Sequence, residues 1–132
     1  MLVLVGCSAG TWENDSKNWQ KAFGSSAPDE IAVVNSFYWQ SAHFTLEFEY
    51  FFEIETTDVV TQELIEFNQL TKVETGNEPS NIHSYVNDKP IWFVPKELDN
   101  YDIYTEQANR HATFKVFIDR ETGHVFLTEN QL

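Results

Sequence analysis

The side chains best suited to acid–base or metal chemistry in this sequence are its histidines and a row of glutamates. His43 precedes Glu47 and Glu49 at strand spacing, so these three side chains could share one face and form a catalytic or metal site. No ligand spacing such as H-E-x-x-H connects the other histidines, which are His83, His111 and His124. The sequence also contains no G-x-S-x-G nucleophile motif and no glycine-rich phosphate loop. An enzyme using His43 is therefore only an alternative, and we predict no catalytic residue, cofactor or metal.

The single cysteine, Cys7, ends the short run Leu4-Val5-Gly6-Cys7. This run resembles the lipobox of bacterial lipoproteins, which places a small residue before the cysteine and an aliphatic residue two positions before that one. The resemblance implies that Cys7 carries acyl chains such as palmitate, whose buried methylenes contribute about 0.8 kcal/mol each to membrane binding. By the sorting rules of such lipoproteins, Ser8 implies the outer membrane, with the domain facing the periplasm.

A complete lipoprotein signal also has a basic segment and a longer apolar segment ahead of the lipobox. We therefore interpret residues 1–11 as the remnant of a signal followed by a small, polar tether, and residues 12–132 as one globular domain. The alternative is that Leu2 to Val5 form an ordinary buried strand, with Cys7 as a small apolar side chain.

Charge limits the classes of partner that the protein can have. The formal net charge is −13, and no lysine or arginine lies between Lys21 and Lys72. Nucleic acid is excluded because phosphate binding depends on lysine and arginine, and an anionic membrane surface would repel the domain. The acidic excess is typical either of a solvated surface or of a docking face for a basic protein.

The elements that must position these side chains are led by one long strand. From Phe44 to Glu55, apolar residues alternate with polar ones, which predicts a strand with one face on the core and the other in water. The polar face is predicted to be a partner-binding surface, with Phe51 as its apolar anchor and a charged rim of Glu47, Glu49, Glu53 and Glu55.

The remaining elements follow from shorter patterns. Helices are predicted from Ser16 to Phe23 and from Asp58 to Leu70, the second with Val60, Leu64 and Phe67 facing inward. Further strands are predicted at Ile31–Trp39, Ile91–Val94, Tyr101–Tyr104, Phe114–Asp119 and His124–Thr128. Together they predict an α+β fold, an antiparallel sheet of about four to six strands with one main helix on one face and a short N-terminal helix at its rim. A β-barrel plugged by a helix is the alternative.

The C-terminal sequence FKVFIDRETGHVFLTENQL resembles the last hairpin of PepSY-type periplasmic domains, in which an Asp-x-x-Thr-Gly turn joins two strands. The resemblance covers only this hairpin. It implies two antiparallel strands and a periplasmic location, and no activity.

Three functions remain open from the sequence. The first is a lipid-anchored, non-catalytic binding domain of the cell envelope. The second is an immunity or inhibitor protein that covers a basic toxin or hydrolase with its acidic face. The third is the envelope enzyme that uses His43.

Overall fold

The computed structural model describes residues 9–42, 47–78, 82–106 and 113–131. Within these ranges the chain forms two helices, α1 (Asn18–Phe23) and α2 (Asp58–Phe67). It also forms seven strands: β1 (Gly10–Glu13), β2 (Ala32–Gln40), β3 (Phe48–Glu55), β4 (Thr71–Lys72), β5 (Tyr101–Thr105), β6 (Lys115–Asp119) and β7 (Val125–Gln131). The strands pair antiparallel in the order β1-β2-β3-β7-β6-β5-β4.

This arrangement confirms the predicted α+β class and corrects the expected number of strands. Two short strands at the sheet edges, β1 and β4, carry no clear alternation and were not predicted. Each pairs on one side only within the described residues, so the sheet is open and is not the barrel of the alternative prediction. Because β1 begins at Gly10, the sheet includes Gly10 and Thr11, which the sequence analysis assigned to the tether.

Two pairs of consecutive strands, β2 with β3 and β6 with β7, form antiparallel hairpins. β2 pairs with β3 along its length, with Tyr38 opposite Tyr50. β6 and β7 join through the Asp-x-x-Thr-Gly turn, where Gly123 has a φ of 77° and its backbone N–H donates to the carbonyl oxygen of Asp119. Only glycine enters this left-handed region without steric cost, so the turn follows directly from the sequence.

One face of the sheet packs against both helices. The α1 side chains Trp19 and Phe23 meet Phe52 and Tyr50 of β3, each at a ring separation of 5.3 Å, so α1 lies on the sheet rather than at its rim. α2 is capped by the Thr57 side chain and contributes Val60 and Leu64 to this core. Phe67, however, is 87% exposed, and Thr61 and Ile65 are buried in its place.

The other face of the sheet is covered by residues 82–98, which form neither helix nor strand. Their side chains build a second core with the strands, formed chiefly by Phe51, Ile82, Phe93, Ile103, Phe117 and Phe126. The predicted strand Ile91–Val94 is wrong, because a turn bond from the Phe93 N–H to the Pro90 carbonyl bends the chain there. The prediction that the second face of β3 lies in water is wrong at Glu49 and Phe51, which are buried, whereas Glu55 at the end of the strand is exposed.

Candidate functional site

Glu49 of β3 fixes the covering segment to the sheet. Its carboxylate is 0% exposed and accepts hydrogen bonds from the backbone N–H of Val86 at 3.0 Å and of Asn87 at 2.9 Å. The side-chain amides of Asn87 and Asn130 donate to the same carboxylate at 3.0 and 3.3 Å. A buried carboxylate is tolerated only when such donors replace its water, so these bonds hold residues 86–87 in one position.

Lys115 of β6 lies beside this carboxylate under the same segment. Lys115 is only 3% exposed. Its Nζ lies 3.5 Å from the carbonyl oxygen of Ser84 and 5.4 Å from the centre of the Tyr85 ring. Burial lowers the pKa of Lys115 to about 8, although the negative charge of Glu49 acts in the opposite direction. Desolvation therefore outweighs the attraction between the two groups.

This lowered pKa predicts a pH dependence of stability. Unfolded Lys115 binds its proton more tightly than folded Lys115, so the free energy of unfolding should rise with pH from about 8 towards the unfolded pKa of about 10.4. Relative to Lys115→Met, the wild type should gain about 2 kcal/mol between pH 7.5 and 9.5 in urea unfolding. Lys17→Met, at an exposed position, serves as the matched control. Relative to this variant, the wild type should show no such gain, because both proteins keep Lys115. Parallel pH profiles of wild type and Lys115→Met would contradict the burial of this charge.

Above the buried groups, the covering segment forms an open cleft of about 390 Å³. Its lining residues are His83, Tyr85, Asn87, Asp88, Lys89, Pro95 and Lys96. The His83 ring stacks on Phe117 at 6.4 Å, and its pKa is lowered by burial and by the charges of Lys115 and Lys89. Burial and the charge of Lys96 lower the pKa of Lys89. The cleft thus gathers positive groups in an acidic protein.

Tyr85 joins the cleft to the core beneath it. Its ring lies 5.4 Å from that of Phe51, and burial followed by the charge of Glu49 raises its pKa to about 12. The phenol therefore keeps its proton at neutral pH and remains a hydrogen-bond donor. Its Oη is buried without a hydrogen-bond partner in the part of the chain that the structure describes.

The predicted partner-binding residues do not form one exposed surface. Phe51 is buried among Phe37, Tyr85 and Phe93, so it cannot anchor a partner as predicted. Glu49 is buried as well, and Glu47 is half-buried. The residues do share one side of β3, but the covering segment occupies most of that side.

The two remaining glutamates of this row meet His124, the residue just before β7. Glu53 Oε2 lies 2.8 Å from His124 Nδ1, and Glu55 Oε1 lies 2.8 Å from Nε2. The hydrogen bond to Glu53 is the largest cause of the raised pKa of His124, with the charges of both glutamates adding to it. Asn35 also donates to Glu53, at 2.9 Å. Both carboxylates are therefore paired with His124 rather than free, although the Glu55 side chain is 58% exposed.

Cys7 and His43 lie outside the described residues, so the structure tests neither lipidation nor a site built on His43. Among the described residues, no group of three or more histidine, cysteine, aspartate or glutamate side chains is placed to hold a metal ion. No helix in the described ranges is long and apolar enough to span a membrane.

Neither Lys115 nor the cleft was predicted from the sequence. One signal was present in the sequence. Lys115 lies two residues before Phe117, so the two side chains share one face of the strand in the terminal hairpin. No comparable signal marked residues 83–89, whose positions depend on distant hydrogen bonds to Glu49. Compared with known proteins, the chain matches no family model, no curated protein and no solved structure.

Proposed function

We propose that this chain is a non-catalytic binding domain of the bacterial cell envelope, anchored in the outer membrane through lipid on Cys7 and facing the periplasm. The anchor is supported by the resemblance of Leu4-Val5-Gly6-Cys7 to a lipobox. The binding role is supported by the cleft between residues 83–89 and 95–96.

The observation that carries the binding role is the fixed position of the cleft wall. Glu49, itself fully buried, uses both carboxylate oxygens to hold the backbone of Val86 and Asn87 through partly buried hydrogen bonds. A wall held in this way is already ordered before a ligand arrives, which lowers the entropy lost on binding. The same bonds occupy the carboxylate, so its role is to shape the cleft and not to transfer protons.

The acidic-face inhibitor is not favoured, because its intended anchor, Phe51, lies in the core. A basic protein partner would have to use other surfaces. The enzyme alternative has no support beyond the spacing of His43 from Glu47 and Glu49, and Glu49 is committed to the covering segment.

The anchor and the cleft can be tested together in the cells that make the protein. We expect the wild type to partition with membranes and to incorporate labelled palmitate, and we expect Cys7→Ser to lose both properties. A photo-crosslinker placed in the cleft, Asp88→benzoylphenylalanine, should give a defined adduct in the envelope.

The matched control carries the same crosslinker at Val59, an exposed residue of α2 on the opposite side of the sheet. An adduct at position 88 that is missing at position 59 supports binding at the cleft. Equal adducts at both positions, or none at position 88, would contradict the binding role. A wild type that is soluble and unlabelled by palmitate would contradict the anchor.

A further inference from the structure

Building on the proposed binding role, we propose that the cleft binds a phosphate group, held by Lys89, Lys96 and His83. The phosphate belongs either to a small phosphate ester or to a phospholipid headgroup. Both present the same tetrahedral oxyanion, and the test below separates them.

Positive charge is concentrated at the cleft. The chain has 8 lysines and arginines against 21 acids, yet Lys89 and Lys96 line one cleft and Lys115 lies beneath it. Mutual repulsion contributes to the lowered pKa values of both His83 and Lys89. Like charges held this close destabilise one another, and a bound dianion would reverse the sign of that interaction.

The cleft is also lined by residues with uncharged hydrogen-bond donors. The buried Tyr85 hydroxyl has no hydrogen-bond partner among the described residues, which is costly for a polar group in an apolar environment. Asn87 lines the same cleft, although its side-chain amide already donates to Glu49. A phosphate oxygen is the kind of acceptor that a phenol and two ammonium groups can bind together.

The surroundings of the charged groups suit an anion that carries an apolar substituent. Asp88 is the carboxylate among the lining residues, and it would keep the anion on the side of the two lysines. Val86, Ile91 and Val94 expose apolar side chains on the same segment, and Ile91 is 98% exposed. Exposed apolar side chains adjacent in the chain to the lining residues suit a phosphate that is attached to an apolar group, as in a lipid or an aromatic ester.

The test uses the folded chain and two probes at constant ionic strength. The first probe is inorganic phosphate, followed by NMR shifts of the cleft amides and by the pKa of the His83 imidazole. We expect saturable shifts at the cleft and a higher His83 pKa when phosphate is bound, because the anion stabilises the protonated ring. The second probe is a vesicle of phosphatidylethanolamine, followed by co-sedimentation.

Lys89→Gln and Lys96→Gln should each weaken binding about tenfold. Lys17→Gln, at the N-cap of α1 on the opposite face of the sheet, should leave binding unchanged. Loss of free-phosphate binding in the cleft variants supports a small ester, and loss of vesicle binding alone supports a headgroup. Equal effects of all three substitutions, or equal shifts with chloride, would overturn the proposal. An adduct from position 88 without phosphate binding would overturn the ligand class and leave the binding role standing.

Discussion

Glu49→Gln should lower the free energy of unfolding by roughly 3–5 kcal/mol. The glutamine side chain keeps one acceptor oxygen, but an NH2 group replaces the other. The N–H groups that donated to the replaced oxygen then face another donor and have no acceptor. The backbone N–H groups of Val86 and Asn87 are the donors most affected, because the present carboxylate bonds them with different oxygens. Urea unfolding measures the loss, and amide hydrogen exchange at Val86 and Asn87 should become faster.

Glu63→Gln is the matched control, since the same chemical change is made on the exposed surface of α2. It should change stability by no more than about 0.5 kcal/mol. If the two variants were equally stable, the carboxylate of Glu49 would not be holding the covering segment.

Phe93→Ala should cost roughly 3–5 kcal/mol, the range for truncation of a buried aromatic side chain. Phe93 is fully buried, and its ring lies 5.0 Å from that of Phe51, 5.6 Å from Phe126 and 5.8 Å from Phe117. It is thus the main apolar contact between the irregular segment and three different strands. Removing it should also expose the second face of the sheet, which increased binding of a hydrophobic dye would report.

Ile91→Ala controls for the same segment, because Ile91 lies two residues away and is almost fully exposed. We expect it to change stability by no more than about 0.5 kcal/mol. A loss comparable with that of Phe93→Ala would mean that Ile91 is packed rather than exposed.

Local patterns in the sequence were sufficient for the elements whose contacts are close in the chain. The alternation in β3 and the glycine turn before β7 depend on neighbouring residues, so both hairpins could be predicted. The start of α2 was placed within one residue for the same reason, although its cap is Thr57 rather than Asp58. Its inward face was partly misassigned because Thr61 and Ile65, not Phe67, are the residues turned towards the core.

The candidate site could not be predicted because its geometry depends on distant contacts. A period-two strand shows which residues share a face, but it does not show whether that face meets water or another segment. A glutamate such as Glu49 is expected at the protein surface. Its burial is tolerable only because the backbone N–H groups of Val86 and Asn87, 37 and 38 positions later, donate to its carboxylate. Phe51 is the one apolar residue among the polar positions of this alternation. Its burial among other aromatic rings explains why an apolar side chain occupies that position.

If Cys7 carries the proposed lipid, the early start of β1 limits how far the domain can stand from the membrane. Only three peptide units separate Cys7 from Gly10, where pairing with Gln40 begins, and a fully extended chain of that length reaches about 10 Å. With lipid on Cys7, this short linker would keep the β1 edge of the sheet at the level of the lipid headgroups. The domain could then sample ligands that lie at or near its own leaflet, but it could not search across the periplasmic space.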